Sequence, residues 1–215
     1  MGNYDARPSA GPWSEATERW LRLWTRLATN VLESQRATAS AFGLPAGTRS
    51  MPGPGPSPVP SMSYAEDDWT FERSVDTVEE VRVGDTVAFS KRITDEDVRA
   101  FARASGDTNR LHLDETFARG TRFGGRIVHG TLVVGLVSAA LARLPGVTVY
   151  ISQDVRYLRP VEIGDRLSAD CEVVEVLGEG RYRLLTTVLD DEGRTVLDGE
   201  AVVLVDELPD VGTAD

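Results

Sequence analysis

The chain has 215 residues, enough to bury a sizeable core, with 41% hydrophobic residues and a formal net charge of −11. That acid excess argues against nucleic acid as a partner, whose phosphates it would repel. The lone cysteine, Cys171, excludes an internal disulfide, and one Cys with two His is too few for a usual zinc site.

Of the 23 basic residues only Lys91 is lysine, a composition that fits a halophilic proteome as well as an ordinary acidic protein. No run of about eighteen apolar residues is present to span a bilayer. The opening "MGNYDARPSAGPW" lacks the basic-then-apolar layout of a signal peptide, so the expected location is the cytoplasm.

In chain order, residues 1–44 form a first segment. From Pro12 to Phe42 apolar residues recur at helical spacing. At about 100° per residue, Trp13, Trp20, Trp24, Leu27, Val31 and Phe42 fall in a stripe roughly 60° wide. Glu15, Arg19, Arg22, Arg26 and Glu33 take the opposite side. So amphipathic a helix needs a surface: its own domain or a sister helix, or else a partner protein or a lipid-like surface. Six of the eleven prolines then fall between Pro45 and Pro60. That density predicts a semi-extended linker over 45–69. A folded domain is expected over 70–208, and 209–215 reads as a flexible tail.

Within the domain, "DTVAFSKRI" (85–93) alternates like a strand. Thr94 followed by Asp95, Glu96 and Asp97 signals a helix start, with Val98, Phe101 and Ala102 on its inner face and Gly106 ending it. Asp107 therefore sits just past a helix C-terminus, where the backbone dipole disfavours negative charge, and its carboxylate is expected to be partly buried. "GTLVVGLVSAALARL" (130–144) is apolar nearly all round and predicts a buried helix stopped by Pro145-Gly146. Four strand-like runs follow, with turns at "EIGD", "GEG" and "DDEG". In the first of them, Val147, Val149, Ile151, Val155 and Tyr157 share one face, with period two. Strand, helix, buried helix and antiparallel meander indicate an α+β fold, a curved sheet around one apolar helix.

The two histidines, His112 and His129, lie in the same inter-helix region, the first with Asp107, Asn109 and Asp114 around it. An isolated Asp-x4-His has little specificity, since polar loops collect both residue types. His129, at a helix start, is by position a capping or packing residue. Ser138, inside "VSAALA", is by spacing a small packing residue bonded to its own helix.

The stretch "ASGDTNRLHLDETFARGTRFGGRIVHGTLVVGLVSAAL" resembles the signature of the MaoC-like (R)-specific enoyl-CoA hydratases, roughly SGD-x-N-P-[IL]-H-x-D and then F…[I]-[VA]-H-G. Similarity runs over about residues 80–206, including "LRPVEIGD", and leaves residues 1–70 uncovered. The resemblance implies a hot-dog fold, a curved antiparallel sheet wrapped around a central helix. It implies hydration of 2-enoyl-CoA to (R)-3-hydroxyacyl-CoA, in either direction, without metal or nucleotide cofactor. By position it places the catalytic pair on Asp107 and His112, the supporting serine on Ser138, and the thioester-binding backbone N–H on Gly130. Asn109 steadies the loop, and His129 joins the substrate-binding set. The pattern departs at Arg110, where the family usually has proline. Arg110, Arg156 and Arg159 are candidates for the CoA phosphates.

The resemblance further implies an acyl-CoA substrate and a homodimer or higher homo-oligomer joined sheet edge to sheet edge. It also suggests a link to polyhydroxyalkanoate synthesis, with residues 12–42 as a tether to a granule or synthase. The alternatives are an acyl-CoA thioesterase on the same fold, or a non-catalytic scaffold docking through its N-terminal helix.

Overall fold

The computed structural model describes residues 57 and 59–209. The expected amphipathic helix, most of the proline-rich linker and residues 210–215 lie outside the described residues.

Six strands form one antiparallel sheet: β1 (Thr70–Arg73), β2 (Thr86–Arg92), β3 (Val147–Tyr157), β4 (Arg166–Gly178), β5 (Arg181–Leu189) and β6 (Thr195–Asp206). Their spatial order is β1-β2-β4-β5-β6-β3, so β1 and β3 are the edges. One row of paired residues crosses all six strands on the inner face: Phe71, Phe89, Ala169, Val188, Leu197 and Tyr157. Against that face lies helix α4 (Gly130–Leu141), which buries Val133, Leu136, Val137, Ala140 and Leu141. Each such aliphatic side chain, fully withdrawn from water, contributes about 1.5–3 kcal/mol.

Helix α1 (Asp95–Ser105) starts where its cap signal predicts. Thr94 Oγ1 accepts the Asp97 N–H at 3.1 Å, and Asp97 Oδ2 accepts the Thr94 N–H at 2.8 Å, a reciprocal capping box. Gly106 closes it in the left-handed region at φ 77°, which a side chain would strain. Two single-turn helices, α2 (Arg110–Leu113) and α3 (Glu115–Arg119), lead toward α4.

Two sequence expectations are corrected. The shared face on β3 is interrupted by a bulge between Tyr150 and Ser152. Val147 and Val149 pair with Asp206 and Leu204 on the outer side, while Val155 and Tyr157 pair with Gly199 and Leu197 on the inner side. An extra residue on one strand reverses the alternation beyond it. Helix α4, expected to be buried all round, exposes Thr131, Gly135 and Ser138 on one side. The sheet reaches only the other side.

Candidate active site

The turn after α1 is built from local hydrogen bonds. The Asp107 N–H donates to Ser105 Oγ at 3.1 Å, and Asp107 Oδ1 accepts the Asn109 N–H at 3.2 Å. Asn109 in turn caps α2, its Oδ1 accepting the Leu111 N–H at 3.0 Å. One helical turn then places His112 on the inward side, where it is 9% exposed.

His112 Nδ1 lies 2.8 Å from the Ile127 carbonyl. A carbonyl oxygen only accepts, so Nδ1 carries the proton and the neutral ring keeps its lone pair on Nε2. His129 Nε2 lies 3.0 Å from the Asp107 carbonyl, so this ring is protonated on Nε2 instead. Its Nδ1 is buried without a partner among the described residues. The two imidazoles stack at 3.9 Å between centroids, tilted by 32°, and Phe101 backs His129 at 5.0 Å. Burial pushes the His129 pKa below its ordinary value, which keeps the ring neutral.

Asp107, His112 and His129 offer potential ligand atoms within 4.8 Å of one another. They are the one such group among the described residues. Stacked rings, however, send their in-plane lone pairs side by side rather than toward one point. The set suits proton transfer better than metal coordination.

Gly130 begins α4, and its N–H finds no acceptor among the described residues, as expected of a first-turn amide. It opens onto a cleft of about 290 Å³ lined by His112, Arg122, Phe123, Gly130, Tyr157 and Arg159, among others. The Tyr157 ring lies directly over Gly130: a Cβ there would meet Tyr157 Cε1 at 2.8 Å. A basic nitrogen, a free helix-N-terminal N–H and an apolar wall thus share one cleft. That arrangement can bind an oxyanion and move a proton beside it.

The remaining expected residues are placed differently. Asp107 is exposed rather than partly buried, because nothing among the described residues covers the turn beyond Gly106. His129 is 1% exposed and lies behind His112, away from the cleft wall where a substrate-binding residue would stand. Ser138 is on the exposed side of α4 and does not line the cleft. Arg110 pairs with Asp114 at 2.7 Å, and Arg156 with Asp198 at 2.8 Å. Arg159 lines the cleft and meets no carboxylate among the described residues. Tyr157 and Arg122 were missed as site residues. The unseen bulge hid Tyr157's direction, and no local pattern marks Arg122.

The model of the MaoC like domain matches residues 72–191. A "3-hydroxybutyryl-CoA dehydratase" of Methylorubrum extorquens is 45% identical over 129 residues, covering 59% of this chain and 82% of the relative. An "(R)-specific enoyl-CoA hydratase" of Rhodospirillum rubrum is 36% identical over 129 residues, covering 59% and 90%. Among solved structures, an unliganded R-hydratase of Pseudomonas aeruginosa superposes with a TM-score of 0.58 at 35% identity, covering 68% of this chain and 99% of that one.

Proposed function

The chain belongs to the MaoC-like domain family, and from that premise we propose that it catalyses the reversible hydration of 2-enoyl-CoA to (R)-3-hydroxyacyl-CoA. The observation that carries this reading is the fixed tautomer of His112 beside the free Gly130 N–H in one cleft. As water oxygen bonds to C3, His112 Nε2 takes the water's proton and then returns a proton to C2. Asp107 accepts a hydrogen bond from the water's other hydrogen, which stays on the new C3 hydroxyl, and so orients the water. Negative charge that builds on the thioester oxygen meets the Gly130 N–H at the start of a 12-residue helix. Asn109 holds the turn between the pair. His129 belongs with this set, behind His112. Arg122 and Arg159, both on the cleft, suit the CoA phosphates better than Arg110 and Arg156, whose charges Asp114 and Asp198 already take.

The active unit in this reading is a homodimer formed along β3. Val147, Val149 and Ile151 are 39, 47 and 52% exposed on that edge strand, whose outer backbone groups pair with no strand among the described residues. We further read the product as a monomer for polyhydroxyalkanoate synthesis, with residues 12–42 as the tether to a granule or synthase. Truncation after residue 56, which spares the buried Val59, should then release the enzyme from granules with hydration intact. Unchanged localisation would defeat the tether.

The reaction is tested with crotonyl-CoA. Loss of enoyl absorbance without free thiol is the expected result; free thiol means hydrolysis. Asp107→Asn should lower turnover by about two to four orders of magnitude with the fold intact, as loss of an acid–base group does. Full activity in that variant would overturn the assignment.

A further inference from the structure

Of the roles that sequence and resemblance suggest for His129, packing fits its place, whereas capping and direct substrate contact do not. It makes no side-chain cap bond at the start of α4, and it is 1% exposed, away from the cleft. A position that needed only packing would be better filled by an aliphatic or phenyl side chain, because a buried polar atom without a partner is costly. His129 Nδ1 is such an atom. What the ring does supply is one N–H at its edge and one flat face. The N–H meets the Asp107 carbonyl at 3.0 Å, and the face meets the His112 ring at 3.9 Å. Phe101, from α1, closes the far side at 5.0 Å.

We propose that His129 is a positioning residue that fixes both members of the acid–base pair at once, the main chain of Asp107 through its Nε2–H and the ring plane of His112 through stacking. This rests on the hydratase reading for the roles of Asp107 and His112, but the contacts themselves do not. Asp107 and His112 stand on separate turns, joined by an exposed loop in which Thr108 and Asn109 contribute only local bonds. His129 comes from the far side of the site and is anchored by α4. It therefore converts two loop-borne groups into one unit of fixed separation. Its neutrality matters to the same end. A second imidazolium against His112 would repel the proton that His112 must take up; burial opposes that charge, and the nearby Asp107 carboxylate offsets it only in part.

Two substitutions separate the two contacts. His129→Phe keeps a flat face and loses the donor; His129→Gln keeps a donor and loses the face. On the full chain with crotonyl-CoA, each should lower kcat about 10–100-fold, the scale of a catalytic group misplaced by up to 1 Å, with KM changed less than about threefold. Nitrogen NMR of the His112 ring supplies a readout that a merely structural role would not move. In the wild type, His112 should hold its proton on Nδ1 and His129 on Nε2. In His129→Gln the His112 tautomers should mix. In His129→Phe they should stay fixed while the amides of residues 106–109 lose exchange protection. The proposal is overturned if either folded variant keeps wild-type kcat, or if KM rises with kcat unchanged, which would make His129 a substrate contact. It is also overturned if wild-type His129 carries its proton on Nδ1, a measurement that needs no variant to fold. Full activity in Asp107→Asn would instead sink the hydratase reading and leave the tautomer results standing.

Discussion

Gly130 occupies ordinary helical backbone, so its lack of a side chain answers to what lies over it. A Cβ would stand 2.8, 3.1 and 3.2 Å from three atoms of the Tyr157 ring. Carbon atoms rest at about 3.5–4.0 Å, so Gly130→Ala must open the contact by roughly 0.7 Å. Two responses are available. Tyr157 is 54% exposed and can swing outward. It would surrender at most about 90 Å² of remaining burial, roughly 2 kcal/mol at 25 cal/mol per Å². Alternatively the first turn of α4 retreats with its N–H, and a displacement of that size in an oxyanion donor costs on the order of 100-fold in kcat. The expected result is a melting temperature lowered by a few degrees and a kcat on crotonyl-CoA lowered about 100-fold. In a Tyr157→Ala background the sign of the stability effect should reverse, because Ala at a compatible helical position stabilises by about 0.4–1 kcal/mol. Equal destabilisation in both backgrounds, read from a double-mutant cycle of melting curves, would refute the argument from the ring.

Asp170 is buried on β4 with Oδ2 unpartnered, and burial, opposed by a Ser168 hydrogen bond and helped by Glu72, pushes its pKa up to about 7. A folded-state pKa above the unfolded 3.8 means the fold prefers the protonated acid, so stability present below about pH 4 is lost as pH rises toward 7. Asp170→Asn should therefore raise the urea midpoint at pH 8 by the equivalent of about 1–2 kcal/mol and change it little at pH 4, while a pH-independent effect contradicts the assignment. Asn109→Ala removes the cap of α2, with an expected cost of about 1 kcal/mol and a larger loss in kcat than in KM; a KM effect alone would make Asn109 a substrate contact. Val149→Lys combined with Ile151→Lys should yield a monomer in sedimentation experiments, and a persistent dimer would move the interface away from β3.

What was legible in the sequence follows the range of the interactions. Helix α1 was readable because its start, first turn and Gly106 stop are all set by bonds within four residues. The meander was readable because its turn residues are local too. Strand β1 was hidden at the edge of the proline-rich stretch: "TFER" is four residues long, and its partner β2 defines it more than its own pattern does. The bulge in β3 depends on how the strand fits β6, so alternation alone puts Val147 and Val149 on the same face as Val155 and Tyr157, which the structure separates. The same limit governs the site. Asp107, Asn109 and His112 share a short motif, whereas the stacking of His129 on His112 and the ring over Gly130 join residues 17 and 27 positions apart. Ser138 and Asp107 were expected inside and stand exposed, because what covers a residue is set by elements distant in sequence.

Arg110 is where the chain departs from the family pattern, and the loop shows what replaces proline. Position 110 opens α2, its N–H has no acceptor among the described residues, and Asn109 sits at φ −56°, ψ 129°, a conformation that a following proline demands anyway. The backbone is thus already shaped for proline. Arg110→Pro should stabilise by about 0.4–1 kcal/mol through the unfolded state. It also removes the Asp114 pair and the guanidinium 4.5 Å from the Phe117 ring. The cation–π contact is worth about 0.5–1 kcal/mol, and the solvent-exposed ion pair adds little to it. The two sides nearly cancel at low salt. Salt screens the ion pair but not the proline, so the balance should tilt toward Arg110→Pro as ionic strength rises from dilute buffer to about 1 M salt. Melting curves of both proteins across that range test this directly. A difference that ignores salt would show that the Asp114 pair contributes nothing to holding the loop.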